Sequence, residues 1–146
     1  MIRQRLGKDL LFFDGGMGTL LQEKGLAPGE LPETWNLTHS EEIYKIHRQY
    51  IEAGSDIILT NTFGANALKF HDDSCSLEEI IKAAVSHVKK AEREALLQTG
   101  DERKIYTALD VGPTGKLLKP MGDLEFETAY RAFREVMEYG EAAGAD

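Results

Sequence analysis

Ala53-Gly54-Ser55-Asp56-Ile57-Ile58-Leu59-Thr60-Asn61-Thr62-Phe63-Gly64 is the stretch on which the reading of the fold turns. Gly54 stops whatever helix precedes it. Ile57-Ile58-Leu59 is a short continuous apolar run, the pattern of a strand buried on both faces. The strand then ends abruptly in polar residues and a glycine. Helix stop, buried strand and polar strand end together make one joint of an alternating α/β chain.

The same joint recurs on both sides. Upstream, Leu10-Leu11-Phe12-Phe13 runs into Asp14-Gly15-Gly16-Met17-Gly18-Thr19. Downstream, Ile105-Tyr106-Thr107-Ala108-Leu109 runs into Asp110-Val111-Gly112-Pro113-Thr114-Gly115. From Asp14 to Asn61 is 47 residues, and from Asn61 to Asp110 is 49. Between the strands the period changes to that of helices. Thr38 to Glu41 reads as a capping box, with Ile43, Ile46 and Tyr50 on one face, so a helix is expected over about 39–53. Ser76 to Glu79 is a second capping box. It opens a long helix with an apolar face from Ile80 to Ala95, closed near Gly100. Asp123 can cap a third helix with Phe126, Tyr130, Phe133 and Met137 on one side.

The order is therefore βα-βα-βα, which implies a parallel sheet with right-handed crossovers and strands in sequence order. Ala143-Gly144-Ala145-Asp146 repeats the signature of Ala53-Gly54-Ser55-Asp56, and a fourth strand is expected after it. Three parallel strands leave two open edges. The chain reads as the N-terminal part of a larger α/β barrel; the alternative is a complete three-unit α/β protein.

Composition excludes several classes. A net charge of −8 opposes nucleic-acid backbones and anionic membranes as partners. No run approaches the roughly 20 apolar residues that span a bilayer, and the first residues make a poor signal peptide. A lone Cys75 excludes an internal disulfide and suits a cytoplasmic protein. From Gly16 the chain lacks the third glycine of a dinucleotide fingerprint. Gly112-Pro113-Thr114-Gly115-Lys116 has the wrong spacing for a phosphate-binding loop.

In a barrel the active site lies at the C-terminal strand ends, which here carry Asp14, Thr60, Asn61 and Asp110. Asp14 can bind a substrate ammonium, or cap its own turn through an Asx bond. Gly15 and Gly16 can offer N–H groups to a carboxylate, or only make the turn. Thr60, Asn61 and Thr62 can bind polar substrate groups, and Asp110 can do so or act as a loop acceptor. Trp35 lines the mouth of such a site or packs over the first helix, and packing is favoured. His39, His47, His71 and His87 show no metal-ligand spacing with one another or with Cys75. Packing or surface roles are expected for them, and no role for Cys75, which follows two aspartates.

Taken together, Asp14-Gly15-Gly16-Met17-Gly18-Thr19, Glu33-Thr34-Trp35-Asn36 and Ala53 to Asn66 resemble the homocysteine S-methyltransferase domain. With Gly112-Pro113-Thr114-Gly115, the chain is most similar to the cobalamin-dependent methionine synthase branch. The resemblance implies that residues 1–146 are the N-terminal part of a homocysteine-binding (β/α)8 TIM barrel domain, ending before strand 4. It implies that Asp14 contacts the homocysteine ammonium, and that the Gly15 and Gly16 amides, with Thr60, lie near its carboxylate. The implied reaction moves a methyl group from methylcobalamin, recharged by methyltetrahydrofolate, to homocysteine, giving methionine. Cobalamin and folate modules of the same parent chain are the implied partners.

The family also carries zinc on three cysteines, and the metal binds the substrate sulfur and stabilises its thiolate. Cys75 matches none of them, so the ligands are expected beyond residue 146, with no catalytic or metal-binding residue in this segment. The 146-residue piece alone is expected to be inactive. Alternatives are a betaine- or S-methylmethionine-dependent homocysteine methyltransferase, or a non-catalytic small-molecule-binding α/β module.

Overall fold

The computed structural model describes residues 2–100 and 102–146. Two strands, β1 (Ile57–Leu59) and β2 (Tyr106–Ala108), pair in parallel with Ile57 opposite Tyr106 and Leu59 opposite Ala108. Phe13 adds a parallel bridge to Ile57 on the other side of β1. The three strand ends therefore lie side by side, parallel and in sequence order, as the βα alternation requires.

Among the described residues five α-helices connect and cover them: α1 (Met17–Glu23), α2 (Trp35–Thr38), α3 (Ser40–Glu52), α4 (Leu77–Thr99) and α5 (Phe126–Ala143). A 3-10 turn, Pro32–Thr34, leads directly into α2. The Ser76 box forms as read: Ser76 Oγ accepts the Glu79 N–H at 3.2 Å, and the Glu79 carboxylate accepts the Ser76 N–H at 2.8 Å. All seven apolar positions of α4 from Ile80 to Ala95 are buried, and Gly100 ends the helix at φ +68°. Each fully buried Ile or Val on that face contributes roughly 1.5–3 kcal/mol of transfer free energy. These side chains make the core: Val88, Ala91 and Ala95 pack on Ile58, Ile105 and Ile51, while Ile80 and Ile81 pack on Ala65, Phe70 and Val136.

Four local expectations are corrected. The Thr38 capping box does not form. Thr38 is already the last residue of α2, and its helical backbone sends the hydroxyl back to donate to Thr34 O at 3.1 Å, leaving His39 as an uncapped start of α3. Asp123 does not cap α5. Leu124 is held in a bridge to Leu118, so the helix starts only after Glu125, without a side-chain cap. The buried face of α5 is Ala129, Ala132, Val136 and Gly140, not the expected row of large residues; Phe126, Tyr130 and Met137 are exposed. Small residues let α5 approach closely: a Cβ at Gly140 would lie 2.5 Å from Leu109 Cδ2.

Leu10–Phe13, finally, forms one bridge rather than a buried strand. Phe12 and Phe13 are 56% and 59% exposed, because no strand among the described residues pairs with the outer side of this edge. Its inner side is well bonded. Phe12 O accepts the N–H groups of Asp56 and Ile57, and the Asp14 N–H donates to Ile57 O at 3.0 Å. This last bond delivers Asp14 to the C-terminal end of β1.

Candidate active site at the strand ends

A cavity of about 490 Å³ opens at the C-terminal ends of the three strand segments. It is lined by Asp14 to Gly18 from the first, by Leu59 to Gly64 from β1 and by Asp110 after β2, with Glu30 to Glu33 closing one side. The sheet order thus brings together residues far apart in sequence, and Asp14, Gly15, Gly16, Thr60, Asn61, Thr62 and Asp110 all reach the same space.

Asp14 leans over β1. One carboxylate oxygen accepts the Leu59 N–H at 3.1 Å, while the other is buried without a partner. Burial pushes this carboxyl up to about 6; the Leu59 and Asp14 N–H groups pull the other way, and the Asp110 charge adds to the rise. The Asx-cap reading of Asp14 is therefore replaced by a longer-range bond, from a side chain to the end of the neighbouring strand.

The glycines differ in what they do. A Cβ at Gly15 would lie 2.7 Å from the Tyr50 hydroxyl, so Gly15 makes room for a ring from α3. That hydroxyl donates to Gly16 O at 3.3 Å. Gly16 has ordinary extended backbone and open space around it, and it precedes α1. The Gly15 and Gly16 N–H groups have no protein acceptor among the described residues. Tyr50 and α1 were both missed by sequence reading. Tyr50 looked like one more residue of an apolar helix face, and α1 is too short for a periodic signal.

Thr60 is 2% exposed, and its hydroxyl ties the strand ends together. It shares a 2.7 Å hydrogen bond with the Thr62 hydroxyl and accepts the Asp110 N–H at 3.1 Å. Thr62 in turn donates to Asp110 O at 2.8 Å. Asn61 turns its amide towards the covering turn, donating to Pro32 O at 2.7 Å and contacting Asn36 Oδ1 at 3.4 Å. Asn36 completes the clasp by donating to Asn61 O at 2.8 Å. In Asn61 it is the position, and not a free amide, that the cavity receives.

Glu33 stands out among the residues that motif reading quoted without a role. It is 4% exposed and accepts the Gly64 N–H at 2.5 Å. Trp35 is buried away from the cavity, donating to Glu30 at 2.7 Å and stacking on His39 at 4.0 Å, so it packs as favoured. His87 meets Asn36 O at 2.7 Å, and His47 is fully buried with neither ring nitrogen partnered. Lys69, the cation at the cavity rim, lies 5.2 Å from the Phe63 ring centroid. No group of three His, Cys, Asp or Glu side chains among the described residues can hold a metal ion. Cys75 packs half-buried beside the α4 start, where burial raises its thiol. No helix among the described residues is long and apolar enough to cross a membrane.

The homocysteine S-methyltransferase family profile matches residues 11–146. A methionine synthase of Mycobacterium leprae (strain TN) is 30% identical over 138 residues, covering 90% of this chain and 11% of its own length. The metallated form of the homocysteine methyltransferase MmuM from Escherichia coli superposes with a TM-score of 0.82 at 23% identity, over 99% of this chain and 55% of that one. Its apo form gives 0.71 at 25% identity, over 96% and 48%. The chain thus spans about half the length of these structural relatives.

Proposed function

The chain belongs to the homocysteine S-methyltransferase family, and from that premise we propose that its strand-end cavity binds homocysteine for methylation to methionine. The observation that carries this is Asp14: a carboxylate with one buried, unpartnered oxygen beside two glycine N–H groups that no protein group accepts. An α-amino acid offers the complement, an ammonium for the carboxylate and a carboxylate for the amides. Three parallel strand segments, in order, with their polar ends facing one cavity, further suit the first three units of a (β/α)8 barrel. The length of the structural relatives supports the same reading, as does the likeness of fold.

In this reading Asp14 must be ionised to hold the ammonium, which its carboxyl achieves above about pH 6. Thr60 and Thr62 fix the spacing of the strand ends, and the clasp of Asn61 with Asn36 and Pro32 keeps the covering turn in place. The described residues do not make a zinc site, so no step in this segment passes through the metal. We assign the zinc that the family resemblance implies to cysteines outside this segment, where it would stabilise the substrate thiolate; that the Escherichia coli enzyme has a metallated form supports this.

For the methyl donor we favour methylcobalamin, recharged from methyltetrahydrofolate on neighbouring modules of a longer chain in the cytoplasm. The relative supporting this is the methionine synthase. Betaine or S-methylmethionine is the competing donor class. Incubating the intact protein that carries this chain with L-homocysteine and each donor in turn, and measuring methionine, tests the reading. Methionine formed from methylcobalamin is expected; failure to bind homocysteine would overturn the assignment.

A further inference from the structure

Resting on the homocysteine reading, we propose that Asp110 is a second carboxylate for the substrate ammonium and, with Asp14, sets the cavity's preference for an amino acid over its des-amino analogue. Its backbone is unusually well held. The N–H donates to the Thr60 hydroxyl at 3.1 Å and the carbonyl accepts from Thr62 at 2.8 Å, and both threonines are buried. Two residues later, Gly112 presses against the Phe63 carbonyl so closely that a Cβ would lie 2.1 Å from it. The turn after β2 is thus locked onto the turn after β1. Yet the Asp110 carboxylate itself has no hydrogen-bond or ion-pair partner among the described residues, although it lines the cavity. A rigid backbone carrying an unpartnered charge into a pocket suits a ligand contact better than a loop acceptor, the other role open to this residue.

The sheet gives the two carboxylates a suitable separation. Asp14 and Asp110 end strand segments on either side of β1, two interstrand spacings or roughly 10 Å apart at the backbone. Asp14 leans over β1 to reach the Leu59 N–H. An ammonium held between two carboxylates by charge-assisted bonds needs about 5–6 Å between the oxygens, a distance that two short side chains reaching over β1 can supply. The Asp110 charge already acts on Asp14 and adds to the rise of its carboxyl, while burial and the Glu33 charge push the Asp110 carboxyl up. The other two carboxylates of the cavity are engaged, Glu33 by the Gly64 N–H and Glu30 by the Ala27 and Trp35 N–H groups, and Lys69 lies over the Phe63 ring rather than on either aspartate. A cation arriving between Asp14 and Asp110 relieves that repulsion.

Calorimetric titration of the intact protein with L-homocysteine and with 4-sulfanylbutanoate, the same molecule without the ammonium, tests this in the wild type, Asp110→Asn and Asp110→Ser. Thermal melts verify that each variant is folded. The wild type is expected to prefer homocysteine. Both variants should bind homocysteine roughly tenfold more weakly while binding the analogue as well as before or better. They should also move the pH midpoint of homocysteine binding downwards, because Asp14 loses a repelling neighbour. Equal affinity for homocysteine in wild type and variants, or an equal loss for both ligands, would overturn the role of Asp110 and leave the homocysteine reading standing. A wild type that binds neither ligand would overturn both.

Discussion

The Gly64 N–H donates to Glu33 Oε1 at 2.5 Å, and that same oxygen would lie 2.7 Å from a Cβ placed on Gly64. One carboxylate, buried in the middle of a 3-10 turn, thus holds the loop after β1, and only glycine leaves it room. Glu33→Ala would strand a buried N–H at a cost of about 1–3 kcal/mol. Glu33→Gln keeps an acceptor and should lose less than half of that. Urea denaturation of the two variants checks the order; equal losses would mean that the bond contributes little.

Glycines that look alike in sequence should respond in opposite ways. At Gly112 a Cβ would meet the Phe63 backbone carbonyl at 2.1 Å, which no rotamer change can relieve. Gly112→Ala should cost about 3 kcal/mol or more. At Gly16 the nearest atom is Thr19 Oγ1 at 4.0 Å and φ is −64°, so Gly16→Ala should stay within about 0.5 kcal/mol. If Gly16→Ala nevertheless weakens homocysteine binding in the intact protein, the loss belongs to ligand approach and not to folding.

His47 makes stability depend on acidity. Burial lowers it from 6.5 to about 3, with the charge of His87 adding to the effect. The unfolded chain therefore binds a proton below pH 6.5 that the folded chain refuses until about pH 3. Stability should fall as the pH drops through that window, with a limiting slope of about 1.4 kcal/mol per unit. His47→Leu should flatten the slope. Denaturant midpoints between pH 4.5 and 7 measure it, and an unchanged slope in the variant would assign the dependence to other groups.

What could be read in advance followed the range of the interaction. Ser76 with Glu79, and the apolar face of α4, are complete within a few residues of sequence, and both formed as read. The strand ends were legible because apolar runs and polar stops are local, and the handedness rule supplied their order. Thr38 misled because its box is also local but loses to the preceding 3-10 turn, which starts the helical backbone four residues early. The face of α5 misled because large residues dominate a hydrophobic pattern, while close packing on Leu109 calls for Ala129, Ala132 and Gly140. At the site, the position of Asn61 was legible but the direction of its amide was not. Its partner, Pro32 O, lies 29 residues away, as Glu33 lies 31 from Gly64. Such pairings exist only once the chain has folded.

Asp14 should show function and stability pulling against each other. Its folded value of about 6 lies above the ordinary 3.8, so the folded state holds the proton more tightly than the unfolded chain. Ionising it as the pH rises from about 4 through 6 therefore removes stability, and the whole loss is present at pH 8. Discounted for its partial exposure, the loss is on the order of 1–2 kcal/mol. Asp14→Asn carries no such charge and keeps an oxygen for the Leu59 N–H. The variant should match the wild type near pH 3 and exceed it by that amount at pH 8. The opposite holds for the ligand: homocysteine should bind the wild-type intact protein more tightly as the pH rises through 6. Asp14→Asn should bind it roughly tenfold to hundredfold more weakly at pH 8, the range expected for one charge-assisted bond. Paired measurements of denaturant midpoint and homocysteine affinity at pH 5 and 8 decide the matter. A variant that gains stability without losing affinity would make Asp14 a poorly placed structural carboxylate and remove it from the substrate site.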